Sequence, residues 1–471
     1  MTMVRIARRL APVLAAVLLL GGCGGNDKVD NDVAFRFIQA SPDAPMVNFV
    51  VDGITLRASV PYKGGSGFVI VTPRAYDFSV QAILAGGNQT IVDVPGTRLD
   101  AGQEYTVIAL GKDADDTVHS LIFNNPMETI PEGNARLQLV NAAPDQPPMD
   151  AYLTAPGADL AASVPIGQIT YGNQPEPRLL VEVKEGEEYV ISLTPAGAPT
   201  SVLFQSQTIP LRSRDDLLLV AVANTATGPS PVSLVIDNHF AARQDNVLPE
   251  LMDKGTLADV RVIHLSPDAP AINVVGDPAT EGAADVTFAA NLGYLGDTGY
   301  VAATPGAYAF RGVLSSDPAP ATPPFSFTQT LGVGQRTTVL ATGLLAGISG
   351  TVLVDDIRPV YAQGKIRIID AAPGAPALVD AYILKQGTDV ASVDPTLRNL
   401  GLRGATGHLG FIPDAYTVTF TEAGSKTVVA ATDVVAGSGT AQTVILRDTV
   451  RADETSDGKP AGIMLVNDLA D

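Results

Sequence analysis

One short stretch occurs four times in this chain, and its prolines limit what the flanking residues can become. The first copy reads Phe35-Arg36-Phe37-Ile38-Gln39-Ala40-Ser41-Pro42-Asp43-Ala44-Pro45, and the third Val260-Arg261-Val262-Ile263-His264-Leu265-Ser266-Pro267-Asp268-Ala269-Pro270. The fourth is Ile366-Arg367-Ile368-Ile369-Asp370-Ala371-Ala372-Pro373-Gly374-Ala375-Pro376, and the second, Leu137-Gln138-Leu139-Val140-Asn141-Ala142-Ala143-Pro144-Asp145-Gln146-Pro147, is more worn. The alternating run predicts an opening β-strand. Two prolines three residues apart then end it, because neither has an N–H to give to a ladder. Between them Asp43, Asp145 and Asp268 suit a turn, where a short carboxylate accepts backbone N–H bonds. The copies lie roughly 100–120 residues apart, the size of a whole domain rather than a solenoid repeat.

Later parts of the units match as well. An Asn or Asp follows each turn (Asn48, Asp150, Asn273, Asp380), and Pro-x-Ala-Tyr opens a further strand at Tyr76, Tyr308 and Tyr416. Upstream of each tyrosine a glycine precedes a ring: Gly67-Phe68, Gly299-Tyr300, Gly407-His408. Each unit closes on an apolar strand ending in two acidic or amide residues, Asn124-Asn125, Asp237-Asn238, Asp355-Asp356 and Asn467-Asp468. About seven short strands per unit, with a turn every ~8–12 residues, predict an antiparallel β-sandwich. The three tyrosines are expected to plug one end of each sandwich, with the hydroxyl bonded to nearby backbone. In the second unit Pro177-Arg178-Leu179-Leu180 places Leu180 at that position.

The Ser-Pro-Asp-Ala-Pro stretch, its flanking strands and the Pro-x-Ala-Tyr strand resemble the bacterial domain-of-unknown-function family 4397. The resemblance covers nearly all of the chain after residue 33. It implies an exported protein built of tandem immunoglobulin-like sandwiches, and it implies no catalytic residues. The expected fold is all-β, with four tandem antiparallel β-sandwich domains after a lipoprotein signal peptide. The divisions are 1–22 signal, 23–32 flexible tether, 33–130, 131–243, linker 244–258, 259–360 and 361–471. In the linker, Asn246 to Asp253 is expected to make a turn of helix. The linker divides a rod of sandwiches into two pairs.

The N-terminus gives an address. Arg5, Arg8 and Arg9 precede the apolar run Leu10 to Leu20, and Leu20-Gly21-Gly22-Cys23 resembles a bacterial lipobox. The run is too short to remain as a membrane span. Cys23 is the only cysteine in 471 residues, so it is the expected lipid attachment site and no intrachain disulfide can form. Gly24 follows it rather than Asp, which favours the outer over the inner membrane as anchor in a diderm cell.

Composition narrows the partners. The formal charge is −20, which argues against nucleic acid and against docking on anionic lipid. With 46% hydrophobic and 17% charged residues the chain is not disordered. Catalytic patterns are missing. Gly65-Ser66-Gly67 and Gly437-Ser438-Gly439 lack the nucleophile-elbow spacing and read as turns. His119, His239, His264 and His408 have no metal-ligand spacing. Asp113-Ala114-Asp115-Asp116, Asp215-Asp216 and Asp355-Asp356 lack the calcium-loop pattern and read as solvated carboxylates. Arg36, Arg261 and Arg367 share one position, six residues before the first proline, and read as exposed-face ion pairs worth about 0–1 kcal/mol. No cofactor, metal or catalytic residue is assigned. The expectation is a non-enzymatic envelope lipoprotein for adhesion, envelope organisation or ligand binding, its protein or glycan partner undefined. The alternative is a carbohydrate- or calcium-binding accessory protein of an envelope complex.

Overall fold

The computed structural model describes residues 32–184, 186–239, 246–449 and 461–469; the leader, Cys23 and most of the tether lie outside them. The chain is all-β, in four units of two packed sheets each. In the first unit the opening strand Val33–Gln39 lies between Val69–Val71 and the penultimate strand Gln103–Leu110, with the closing strand His119–Pro126 beyond. The second sheet runs Ile54–Val60, Val47–Val51, Ala75–Leu84, Gly87–Arg98. Among the described residues, units one, three and four each have eight strands rather than seven.

Opening and penultimate strands run parallel, from Ala34 opposite Glu104 to Gln39 opposite Ala109. The closing strand returns antiparallel to the penultimate one. The chain therefore enters and leaves every unit at one end, the root. The Pro-Asp turn lies at the opposite end, the crown.

Between the sheets the alternate residues interlock. Phe35, Phe37, Phe49 and Phe78 fill the first core, the Phe37 and Phe49 rings stacked at 4.4 Å. Asn48 accepts from the Ser59 N–H (3.1 Å) and Asn273 from the Asn291 N–H (2.7 Å), each at a β-bulge whose donor has positive φ. A short amide satisfies the N–H that the bulge takes out of the ladder. Tyr76, Tyr308 and Tyr416 are 5%, 3% and 6% exposed. Their hydroxyls donate to Thr72 O, Thr304 O and Ile412 O, each at 2.9 Å. The expected tyrosine plug is present in all three.

The second unit corrects the sequence reading. Leu180 lies on the edge strand Leu179–Glu182 and is half exposed. Register gives the position to Tyr189: Asn48 faces Gln81, Asp150 faces Thr194, and five residues earlier lie Tyr76 and Tyr189. A further strand and loop separate Tyr189 from the Pro177-Arg178 dipeptide.

Units pack in pairs through their first sheets. Ile38, Ile108, Leu121 and Phe123 of unit one meet Val140, Leu218, Val220 and Val235 of unit two. Ile263, Leu265 and Leu340 of unit three meet Ile369, Ile445 and Val466 of unit four. Every opening strand is therefore buried on both faces, which is why its polar positions are also covered. The linker is extended, not helical. Val247 bridges to Gly64, and Glu250–Leu251 pairs with Val235 and Leu234 as an added edge strand. Pro249 withholds the N–H a helix needs there, and the open edge of the closing strand offers a ladder.

The crown of the first pair sits on the root of the second. Arg358 Nη1 donates to Pro42 O (2.6 Å) and Ala44 O (3.1 Å), and Arg336 Nη2 to Thr227 Oγ1 (2.7 Å). The chain is therefore two units thick and two pairs long rather than four sandwiches in line.

Candidate functional site

The ion-pair positions converge on the seams inside each pair, and here the sequence reading needs its main correction. Arg36, Arg261 and Arg367 are 3%, 1% and 1% exposed, not on open faces. They fall on the outward face of the opening strand, but the paired unit covers that face.

In the second pair the arrangement is reciprocal. Arg261 Nη2 donates to Asp468 of unit four at 2.7 Å, and Arg367 Nη1 to Asp355 of unit three at 2.5 Å. Each arginine Nε also reaches a threonine of its own unit, Thr338 (3.2 Å) or Thr443 (2.9 Å). Those hydroxyls in turn donate to the acids, Thr338 to Asp355 (2.7 Å) and Thr443 to Asp468 (2.6 Å). The ring residues cover both: Tyr300 donates to Asp355 (2.8 Å), and His408 Nε2 lies 2.9 Å from Asp468. Burial pushes the Asp468 carboxyl up, but the His408 bond and the Arg261 and Arg367 charges override it and hold it below the usual range. Three motifs far apart in sequence thus build one network.

The first pair uses the same slots with different chemistry. Arg36 Nη1 lies 3.0 Å from Asp237, its Nε donates to Thr106 (3.0 Å), and its guanidinium sits 4.5 Å from the Phe68 ring centre. In the reciprocal slot Gln138 takes the arginine position and Asn125 the acid position, exchanging two amide bonds at 2.9 and 3.2 Å. Register places Arg178 where the other units have a ring, since Leu137 faces Leu179.

At the root end of this seam Glu104, Asp216 and His239 bring ligand-type atoms within 4.8 Å of one another. Sequence reasoning named Asp216 and His239 separately and missed Glu104. The grouping needs the fold, because Glu104 belongs to unit one. Arg136 engages both oxygens of Asp216 (3.0 and 2.6 Å), and Arg178 engages Glu104 at 2.5 Å. Burial pushes the Asp216 carboxyl up, and Arg136 and Arg178 outweigh it and hold it down. Burial pushes the His239 ring below its ordinary value. A divalent ion here would have to displace two arginines from carboxylates that they already neutralise, so the donor set fits an ion-pair lock better than a metal centre. Beside it lies a cleft of about 600 Å³, lined by Phe68, Ile70, Glu104, Met127, Asp237 and His239 among others.

The other singled-out residues have structural employment. Asp43 accepts the Asp113 and Ala114 N–H groups (2.8 and 2.9 Å), and Asp268 accepts that of Leu345 (2.7 Å). In units one and three the turn aspartate therefore anchors a distant crown loop rather than closing its own turn, whereas Asp145 of unit two pairs with Lys112 of unit one. In unit four, where Gly374 replaces it, Asp448 accepts the Gly374 N–H from the opposite side (2.9 Å). Ser66 Oγ accepts from Phe37 N–H and donates to Gly67 O, and Ser438 donates to Tyr361 O. His119 Nδ1 lies 2.8 Å from Thr117 O, and His264 Nε2 3.1 Å from Pro270 O. Asp215 accepts from Asn238 and from the Arg212 N–H, and Asp356 pairs with Lys365 at 2.9 Å. Among the described residues Tyr361 is the only exposed Phe or Tyr.

A family profile described as a domain of unknown function (DUF4397) matches residues 33–152 and 258–382, just over half of the chain. Each match begins at the opening strand of a pair and runs on into the second unit of that pair. A search of the curated proteins gives no match. Among solved structures the chain is similar to the Bacillus anthracis TIE protein, at 8% identity and TM-score 0.17, over 87% of this chain and 66% of that one. It is also similar to a product complex of the multi-modular glycogen-degrading pneumococcal virulence factor SpuA, at 10% identity and TM-score 0.12, over 71% and 38%. The chain spans less than two thirds of either, and TM-scores this low carry no argument.

Proposed function

The chain belongs to the DUF4397 family, and from that premise we propose that it is a non-catalytic envelope lipoprotein. It is a stiff β-sandwich rod that holds a binding end away from the membrane, for adhesion, envelope organisation or ligand capture. The observation that carries this reading is the seam: the arginines, carboxylates and histidines grouped there serve to lock units together. Cys23 and its tether precede Val33, at the root of the first pair, so a lipid there leaves the crown of the second pair outermost. The outer membrane is the favoured anchor, and the acidic surface argues against nucleic acid as partner. The carbohydrate- or calcium-binding alternative ranks lower. Sugar sites favour exposed rings, and the acidic pairs Asp215-Asp216 and Asp355-Asp356 are each engaged by amide, hydroxyl or cationic partners.

The test is expression of the full chain in a diderm host, with fatty-acid labelling and mass spectrometry of the mature N-terminus. A diacylated Cys23 at the new N-terminus, with label lost in Cys23→Ala, is expected. Cleavage elsewhere with Cys23 unmodified would overturn the anchor.

A further inference from the structure

The junction between the pairs contains a peptide-recognition event made by the chain on itself. The segment Ile357-Arg358-Pro359-Val360-Tyr361 has no regular secondary structure up to Val360 and lies on the Ser41–Pro45 turn of unit one. Three successive carbonyls of that turn are engaged: Pro42 O and Ala44 O by Arg358 Nη1, and Asp43 O by the Tyr361 N–H at 2.9 Å. The Arg358 guanidinium lies 5.4 Å from the Tyr62 ring centre. Ile357 and Val360 are 5% and 3% exposed. The Tyr62 hydroxyl donates to Ala223 O across the seam (2.6 Å), which fixes the ring as part of the platform.

Unit three rebuilds this platform. Its turn repeats the same five residues, Ser266-Pro267-Asp268-Ala269-Pro270. Tyr294 occupies the place of Tyr62, two residues beyond the strand position that faces Ile272 as Val60 faces Val47. Its hydroxyl donates to Asp448 O across the second seam (2.8 Å), the counterpart of the Tyr62 bond. Unit four has neither the aspartate nor the tyrosine, with Gly374 and Leu402 in their places. The two platforms differ in cover. Asp43 is half-buried and Pro45 buried under the 357–361 segment, whereas Asp268 and Pro270 are exposed.

We propose that the unit-three turn is an open docking site for an extended, arginine-bearing segment of another protein, with an apolar residue before the arginine and Pro-x-Tyr after it. Backbone carbonyls recognise the guanidinium and one N–H, and the aspartate adds charge attraction without contact. A strongly acidic surface steers such a cationic segment toward the site. The site stands at the crown of the second pair, the end farthest from Val33.

The probe is a synthetic peptide with the sequence of residues 355–363, carrying a photo-crosslinking group in place of the Val360 side chain. It is mixed with the full chain, whose unit-one platform is already filled. Saturable binding is expected, with crosslinks mapped to 264–271 or Tyr294. An Arg→Ala peptide is expected to bind about tenfold more weakly, the loss of one charge-assisted contact. Asp268→Asn, which keeps an oxygen for the Leu345 N–H, is expected to weaken binding several-fold, and Asp43→Asn to leave peptide affinity unchanged. Crosslinks elsewhere, or equal binding of the Arg→Ala peptide, would overturn the proposal.

Discussion

Replacing Arg367 by Gln isolates what the seam contributes. The change removes the cation that reaches Asp355 at 2.5 Å, while Asp355 has no exposed side-chain surface. Thr338 and Tyr300 still donate to Oδ2 of that carboxylate, while Oδ1 loses the Arg367 bond together with its counter-charge. Breaking a buried pair from one side costs about 3–5 kcal/mol, because the surviving charge is left in a poor dielectric. The double variant Asp355→Asn/Arg367→Gln removes both charges and installs the amide pair that Asn125 and Gln138 already form in the first pair. It is expected to recover most of the loss, since neutral replacement of a buried pair is often nearly free. Calorimetry of the chain from residue 24 onward is the assay, read on the transition of the second pair. One kcal/mol moves a 150–250-residue unit by about 2–4 °C, so the single variant should melt about 6–20 °C lower. A single-variant shift below about 2 °C, or a double variant no better than the single, would refute the buried-pair reasoning.

Tyr308→Ala should cost about 3–5 kcal/mol by calorimetry of the same chain, and Tyr308→Phe only about 0.5–1.5 for the lost bond to Thr304 O; equal losses would mean the ring is not packed. Asp370 is buried and its pKa is pushed up to about 6 from 3.8, chiefly by burial. Its carboxyl holds its proton longer in the fold, so stability is lost as pH rises from about 4 through about 6, by at most about 3 kcal/mol. Asp370→Asn keeps an acceptor for the Ala372 N–H, as Asn141 does for Ala143. It should therefore raise the melting temperature at pH 8 and leave it nearly unchanged at pH 4; a gain only at low pH would reverse the assignment. A chelator should shift melting by less than about 2 °C, because arginines rather than a metal neutralise Glu104 and Asp216; a larger fall would indicate ligand linkage at that cluster.

The repeat was readable because backbone chemistry leaves marks in sequence. Prolines flanked the turn, Asn or Asp sat at the bulge, and Pro-x-Ala-Tyr signalled the plug, and all are where their chemistry needs them. The motifs of the seam were also visible, as a shared arginine, a ring after glycine and a closing acid. Their meeting was not, because each appears on a different strand, and the arginine and acid belong to different units. A strand whose outward face carries Arg36 reads as half-solvated unless its neighbour is known. Tyr189 was missed for a local reason, since strand register rather than a dipeptide sets that position.

Root-to-root connection and face-to-face packing together impose a counting rule on chains of this kind. Each unit has one apolar sheet face that only a sister unit covers. A unit gained or lost singly would bare Ile, Leu and Val side chains along a whole sheet and invite association or aggregation. Two units gained together would leave every face covered and simply lengthen the rod. Duplication can therefore extend such a chain safely in steps of two, and an odd number would have to find its missing half in another molecule.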